Sequence, residues 1–141
     1  MKKLITIILL APILILGQTN KRNFIEGNVG LASIYGYDFN EAFPGLSVLY
    51  GKTFEKNGLI TELQVGLAAP SVMTGKIGLG IGSLENNFQI AVRPWPFFIG
   101  PQIKLNKLSF SVEVGTDSWV SFDSGLITTI GYRWDLKKKN K

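Results

Sequence analysis

Seven ionisable side chains stand within otherwise apolar or glycine-rich stretches of the chain: Glu26, Glu62 and Glu113, with Lys76, Arg93, Lys104 and Arg133. Carboxylates set among ammonium and guanidinium groups can do one of two things. They can pass protons or ions along a path, or they can pair and neutralise one another. Further chemistry is narrowed by two absences, since the 141 residues include no Cys and no His. A Ser-His-Asp triad, a thiolate nucleophile, an imidazole general base and most zinc sites are excluded, as is a disulfide framework. A lipid-bearing N-terminal cysteine is excluded on the same ground. No pair of carboxylates can be assigned to one pocket, so no catalytic residue, metal site or cofactor is expected.

Gly78-Leu79-Gly80-Ile81-Gly82 has the glycine content of a phosphate loop. Such a loop needs its glycines at a strand-to-helix turn, whereas these alternate within a strand and read as a packing feature. Asp38, Glu41, Asp117 and Asp123 match no calcium-loop spacing and read as solvated loop acids. Trp119, Val120 and Phe122 form an apolar patch in one loop, and Trp95 lies in another. They either contact a partner or ligand or form part of an interfacial belt, and both readings stand.

The net charge of +5 is an effect of the ends. Lys2 and Lys3 precede the mature chain proposed below, and Lys137, Lys138, Lys139 and Lys141 close it. Setting these aside leaves nine basic residues against ten acidic ones. A nucleic-acid face, which needs clustered Lys/Arg with interleaved aromatics, is not expected. At the start, two lysines precede Leu4 to Leu16, thirteen residues that are apolar except for Thr6, and a polar exit follows. That is the pattern of a secretory signal peptide, expected over 1–18, and the run is too short to span a membrane as a helix.

The elements that must position the charged residues are strands, because the periodicity from Asn23 to Trp134 is two. Leu59, Thr61, Leu63, Val65 and Leu67 alternate with Ile60, Glu62, Gln64, Gly66 and Ala68; Leu108, Phe110, Val112 and Val114 alternate with Ser109, Ser111, Glu113 and Gly115. Continuing along the chain predicts eight strands at about 23–35, 44–54, 59–69, 75–84, 88–93, 97–105, 108–116 and 124–134. Tight polar turns at 55–58, 85–87 and 106–107 fall at one end with both termini, and the longer or more aromatic connections fall at the other. Short turns on one rim and loops on the other is the layout of an outer-membrane barrel.

Alternation alone does not say which face is inside. The face opposite the apolar one carries Gly66, Gly78, Gly80, Gly82, Gly100, Gly115 and Gly131 with Ser47, Ser109, Ser111, Gln64, Gln89 and Gln102. A water-facing surface would carry more charge and fewer strand glycines, so this face is expected to fill a narrow lumen. The seven charged residues then form a lumen charge network. The apolar face points to lipid, with interfacial aromatics Phe24, Phe54, Phe88, Tyr132 and Trp134 near the turn rim and Tyr35, Trp95 and Phe97 near the other. Two residues fit less easily: Pro101 removes a ladder donor, and Lys52 on the apolar face must snorkel to the interface.

The leader, the strand count, the turn and loop alternation and the closing strand Gly131-Tyr132-Arg133-Trp134 resemble the small eight-stranded outer-membrane β-barrel family, of the OmpA transmembrane-domain and OmpX type, over about 23–134. The resemblance implies an all-β, eight-stranded antiparallel up-and-down transmembrane barrel in the bacterial outer membrane. Its partners would be outer-membrane lipid and the assembly machinery, and it would be a monomer. The family's assembly signal usually ends on an aromatic residue; here Asp135, Leu136 and a Lys-rich tail follow Trp134, giving one domain over 19–141 with a basic tail at 135–141. The expected role is non-enzymatic, structural or in surface contact. The competing readings are a soluble exported barrel with an apolar ligand in an apolar interior, and a narrow channel.

Overall fold

The computed structural model describes residues 20–33, 43–69, 72–94, 97–116 and 124–136. The expected signal peptide, Tyr35, Trp95, Trp119, Phe122, the four loop acids and the lysines of the tail lie outside the described residues. The described chain forms eight strands: β1 (Asn20–Ser33), β2 (Phe43–Lys56), β3 (Leu59–Ala69), β4 (Val72–Gly82), β5 (Asn86–Pro94), β6 (Phe97–Leu105), β7 (Leu108–Thr116) and β8 (Ser124–Asp135). Each strand pairs antiparallel with the next, and β8 pairs with β1, with Glu26 opposite Arg133 in that closing ladder. The fold is therefore a closed up-and-down barrel, which leaves no sheet edge.

Local chemistry explains the strand ends. Asn57 and Gly58 both take positive φ, 51° and 78°, as a two-residue hairpin turn matched to strand twist requires. The β4–β5 turn is Ser83–Glu85 rather than the expected 85–87. Ser83 closes it, with its N–H donating to the Asn86 carbonyl at 2.8 Å and its hydroxyl accepting from the Asn86 N–H at 3.1 Å. Asn86 and Asn87 thereby join β5, and β4 runs 72–82 instead of 75–84. β1 likewise starts earlier than expected, at Asn20 rather than at 23, because Asn20 to Arg22 already pair with Thr53 to Glu55, and its expected end at 35 lies outside the described residues. At Pro101 the β6–β7 ladder skips Gly100 and Pro101, while both stay paired to β5. The missing N–H is accommodated by leaving out the rungs it would have served.

The small and polar face points inward and the apolar face outward. One consequence corrects the sequence reading. Phe24 was expected among the outward aromatics, but it shares the parity of Glu26 and lies fully buried inside the barrel. A Cβ on Gly51 would collide with its ring, so the glycine opposite makes the space Phe24 occupies. Leu49, Ile60 and Phe98 are also buried on the inner face.

Candidate functional site

The interior is the one place where the described residues gather charge out of water. All seven expected lumen residues, Glu26, Glu62, Lys76, Arg93, Lys104, Glu113 and Arg133, are at most 6% exposed. Water-accessible lumen walls would register as exposure, so the side chains fill the space beside them. Each reaches the interior because its strand alternates: Glu62 shares its face with Gln64 on β3, Lys104 with Gln102 on β6, Glu113 with Ser111 on β7.

They form two groups of opposite composition. Toward the turn end, Lys104 lies between two carboxylates, its Nζ 2.8 Å from Glu26 Oε2 and 2.5 Å from Glu62 Oε1. Gln64 Nε2 donates to both carboxylates, at 3.2 and 3.0 Å, and Thr53 Oγ1 donates to Glu62 Oε2 at 2.7 Å. Toward the loop end, Glu113 lies between two cations, Lys76 Nζ at 2.5 Å and Arg93 Nε at 3.0 Å. Ser111 donates to Glu113 at 2.9 Å and accepts from Lys76 at 3.2 Å; Arg93 Nη1 donates to Thr74 Oγ1 at 2.6 Å. Pairing of this density is what ions taken out of water require.

One aromatic ring and two turn carbonyls seal the turn-end group. The Phe24 ring carries Lys104 Nζ 4.8 Å and the Arg133 guanidinium 5.6 Å from its centre. Arg133 also donates from Nη2 to the carbonyls of Glu85 and Asn106, which belong to two different turns. Below it, Arg22 forks onto Asp135 at 2.5 and 2.7 Å and donates to the Leu84 carbonyl at 2.9 Å. The Arg22 hydrogen bonds hold the exposed Asp135 carboxyl, at the last residue of β8, below the ordinary aspartate range.

The expected aromatics divide. Phe88, Tyr132 and Trp134 point outward, the last two with ring centres 5.0 Å apart, and Phe97 points outward at the loop end. Phe54 has outward parity yet is 7% exposed, with Lys52 Nζ 5.2 Å and Lys21 Nζ 5.9 Å from its ring centre. Sequence reading missed the inward Phe24, Leu49 and Phe98, although parity with Glu26, Thr53 and Lys104 on the same strands carried the signal, while Ile60 lies inward on the face it shares with Glu62, as alternation placed it. Among the alternate glycines of β4, Gly78 acts by volume: Gln89 packs over it, where a Cβ would collide with its amide.

Among the described residues, no cluster of three or more metal-ligating side chains occurs. No family model, curated protein or solved structure matches the chain.

Proposed function

We propose that this chain is a non-enzymatic barrel of the bacterial outer membrane, exported through its N-terminal segment, with a lumen plugged by its own side chains and a structural or surface-contact role. The observation that carries this reading is the outward face. Among the described residues, twenty-eight large hydrophobic residues are exposed there and at the strand ends, among them Val29, Leu67, Leu79, Phe110 and Ile130, while Glu26, Glu62, Lys76, Arg93, Lys104, Glu113 and Arg133 are turned inward. A monomeric protein in water rarely leaves so continuous an apolar surface uncovered, whereas a bilayer demands it. Closure of the ladder supports the same reading, since backbone groups in lipid must be satisfied within the protein.

The competing readings lose support from the same residues. A carrier of an apolar ligand needs an apolar cavity, and this interior holds seven buried charges. A channel needs a wetted path, and the residues of the two charge groups, carried on β1, β3, β4, β5, β6 and β7, are at most 6% exposed. Fractionation of the producing cell followed by an alkaline wash of its membranes tests the proposal. Retention in the washed outer membrane is expected; recovery in the soluble periplasmic fraction would overturn it.

A further inference from the structure

Charge on the outward face is confined to one place. Among the described strands, the outward-pointing charged side chains are Lys21 on β1 and Lys52 and Lys56 on β2, all toward the turn end. The outward positions of β3 to β8 carry none. Lys52 lies between Tyr50 and Phe54 on the outward face of its strand and is paired across the ladder with Leu63. Its ammonium reaches toward the turn end, to 5.2 Å from the centre of the Phe54 ring. Lys21, opposite Phe54 in the β1–β2 ladder, brings a second ammonium to 5.9 Å from the same ring. Neither lysine takes part in the ion pairs that neutralise the interior.

Two ammonium groups within 6 Å of one ring centre concentrate positive charge at that point of the surface, which an anion beside them would offset. On a lipid-facing surface, lysines are tolerated where they reach the headgroup level, and phosphate is the anion found there. We propose that Lys21 and Lys52, with Phe54 as their floor, bind the phosphate of an anionic phospholipid in the leaflet at the turn end of the barrel. The inference rests on the membrane reading above. A lipid suits the site better than free phosphate, because Tyr50 and Leu63 continue it as apolar surface on which acyl chains can lie.

The test uses the purified full chain in phosphatidylcholine vesicles containing spin-labelled phosphatidylglycerol or spin-labelled phosphatidylcholine, reading the motionally restricted fraction. The unaltered barrel is expected to favour phosphatidylglycerol about five-fold, falling below about two-fold in K21Q/K52Q. K107Q, which removes a lysine from the β6–β7 turn at the same end, is expected to keep the full preference. An inserted barrel with no preference, or with one that K21Q/K52Q and K107Q reduce equally, would overturn the site and leave the membrane reading intact. Loss of the preference on adding inorganic phosphate, but not an equal ionic strength of chloride, would make the site one for free phosphate and overturn the lipid assignment. Failure of the chain to enter vesicles of either composition would overturn both.

Discussion

The two buried charge groups solve one problem with opposite signs. At the turn end a single cation, Lys104, serves two carboxylates; at the loop end a single carboxylate, Glu113, serves two cations. The turn-end group is sealed by Phe24, Arg133 and the carbonyls of two turns. Hydroxyls serve both groups: Thr53 at the turn end, and Thr74, Ser111 and, through Ser111, Thr129 at 2.7 Å at the loop end. In each group the middle residue holds two partners that would otherwise be buried like charges side by side. The chemical sign of the middle residue matters less than its position between them.

The largest effect follows from removing that middle residue. Lys104→Met leaves Glu26 and Glu62 buried and uncompensated, and is expected to destabilise the barrel by about 3–5 kcal/mol. Glu113→Gln leaves Lys76 and Arg93 in the same condition and belongs to the same range. Denaturant unfolding in lipid vesicles reads both. Adding E26Q and E62Q to K104M should then restore most of the lost stability, because the damage is stranded charge rather than lost attraction. If the triple variant is no more stable than K104M alone, the account of the turn-end group is wrong.

Next in size is a change on the other face of the same strand. Val112 adjoins Glu113 in sequence, yet it is 47% exposed on the outward side where Glu113 is fully buried. Val112 also stands at the middle of β7. Val112→Arg is expected to cost about 2–4 kcal/mol of stability in a bilayer. Labelling Val112→Cys in intact membranes gives the matching readout, with a water-soluble thiol reagent expected to leave it unmodified. Rapid modification would mean that the outward face meets water, and the contrast between the faces would then need another cause.

The contrast between faces was legible in the sequence, and the contrast between the two charge groups was not. Strands β3, β6 and β7 have the bounds that alternation predicts, because a small or polar residue recurs at every other position of each, apart from Ile60 and Phe98 at the first inward positions of β3 and β6. The seven lumen charges were legible for the same reason. Phe24 was not, because near a rim the hydrophobic rule points an aromatic outward, and only its parity with Glu26 points it in. The β4–β5 turn was misplaced because Asn86 and Asn87 resemble turn residues, whereas Ser83 supplies the closing bonds. Which acid meets which base was out of reach altogether. Lys104 meets Glu26 across 78 residues, and that meeting depends on ladder register and barrel closure rather than on local pattern.

Removing an outer member of either group sharpens the comparison at smaller cost. In Lys76→Met, Glu113 keeps Arg93 and Ser111. In Glu26→Gln, Lys104 keeps Glu62. Each is expected to cost about 1–2 kcal/mol, below either change at the middle position. Unfolding in vesicles ranks the four variants directly. An outer variant as damaging as its middle one would mean that the groups share charge evenly, and the description of a central residue with two dependants would fail.

The smallest effect lies where the groups end and solvent begins. Arg22 and Asp135 join the start of β1 to the end of β8 by a two-pronged pair, with bonds of 2.5 and 2.7 Å. Its geometry is as good as any in the lumen, but the Asp135 side chain is 39% exposed, so water and salt screen it. A double-mutant cycle with Arg22→Gln and Asp135→Asn is expected to give a coupling of about 0.5 kcal/mol at neutral pH, reduced in high salt. The sign of its pH dependence is fixed by the direction of the Asp135 shift. A carboxyl held below its ordinary value of 3.8 stabilises the fold above that pH, and the contribution fades as the pH falls through 3.8 toward the lower folded-state value. A coupling as large as that of the lumen groups, or one indifferent to salt and acid, would show that burial is not what separates the interior pairs from this one. At equal geometry, burial is the remaining difference: it makes an intact pair insensitive to salt and a broken one costly.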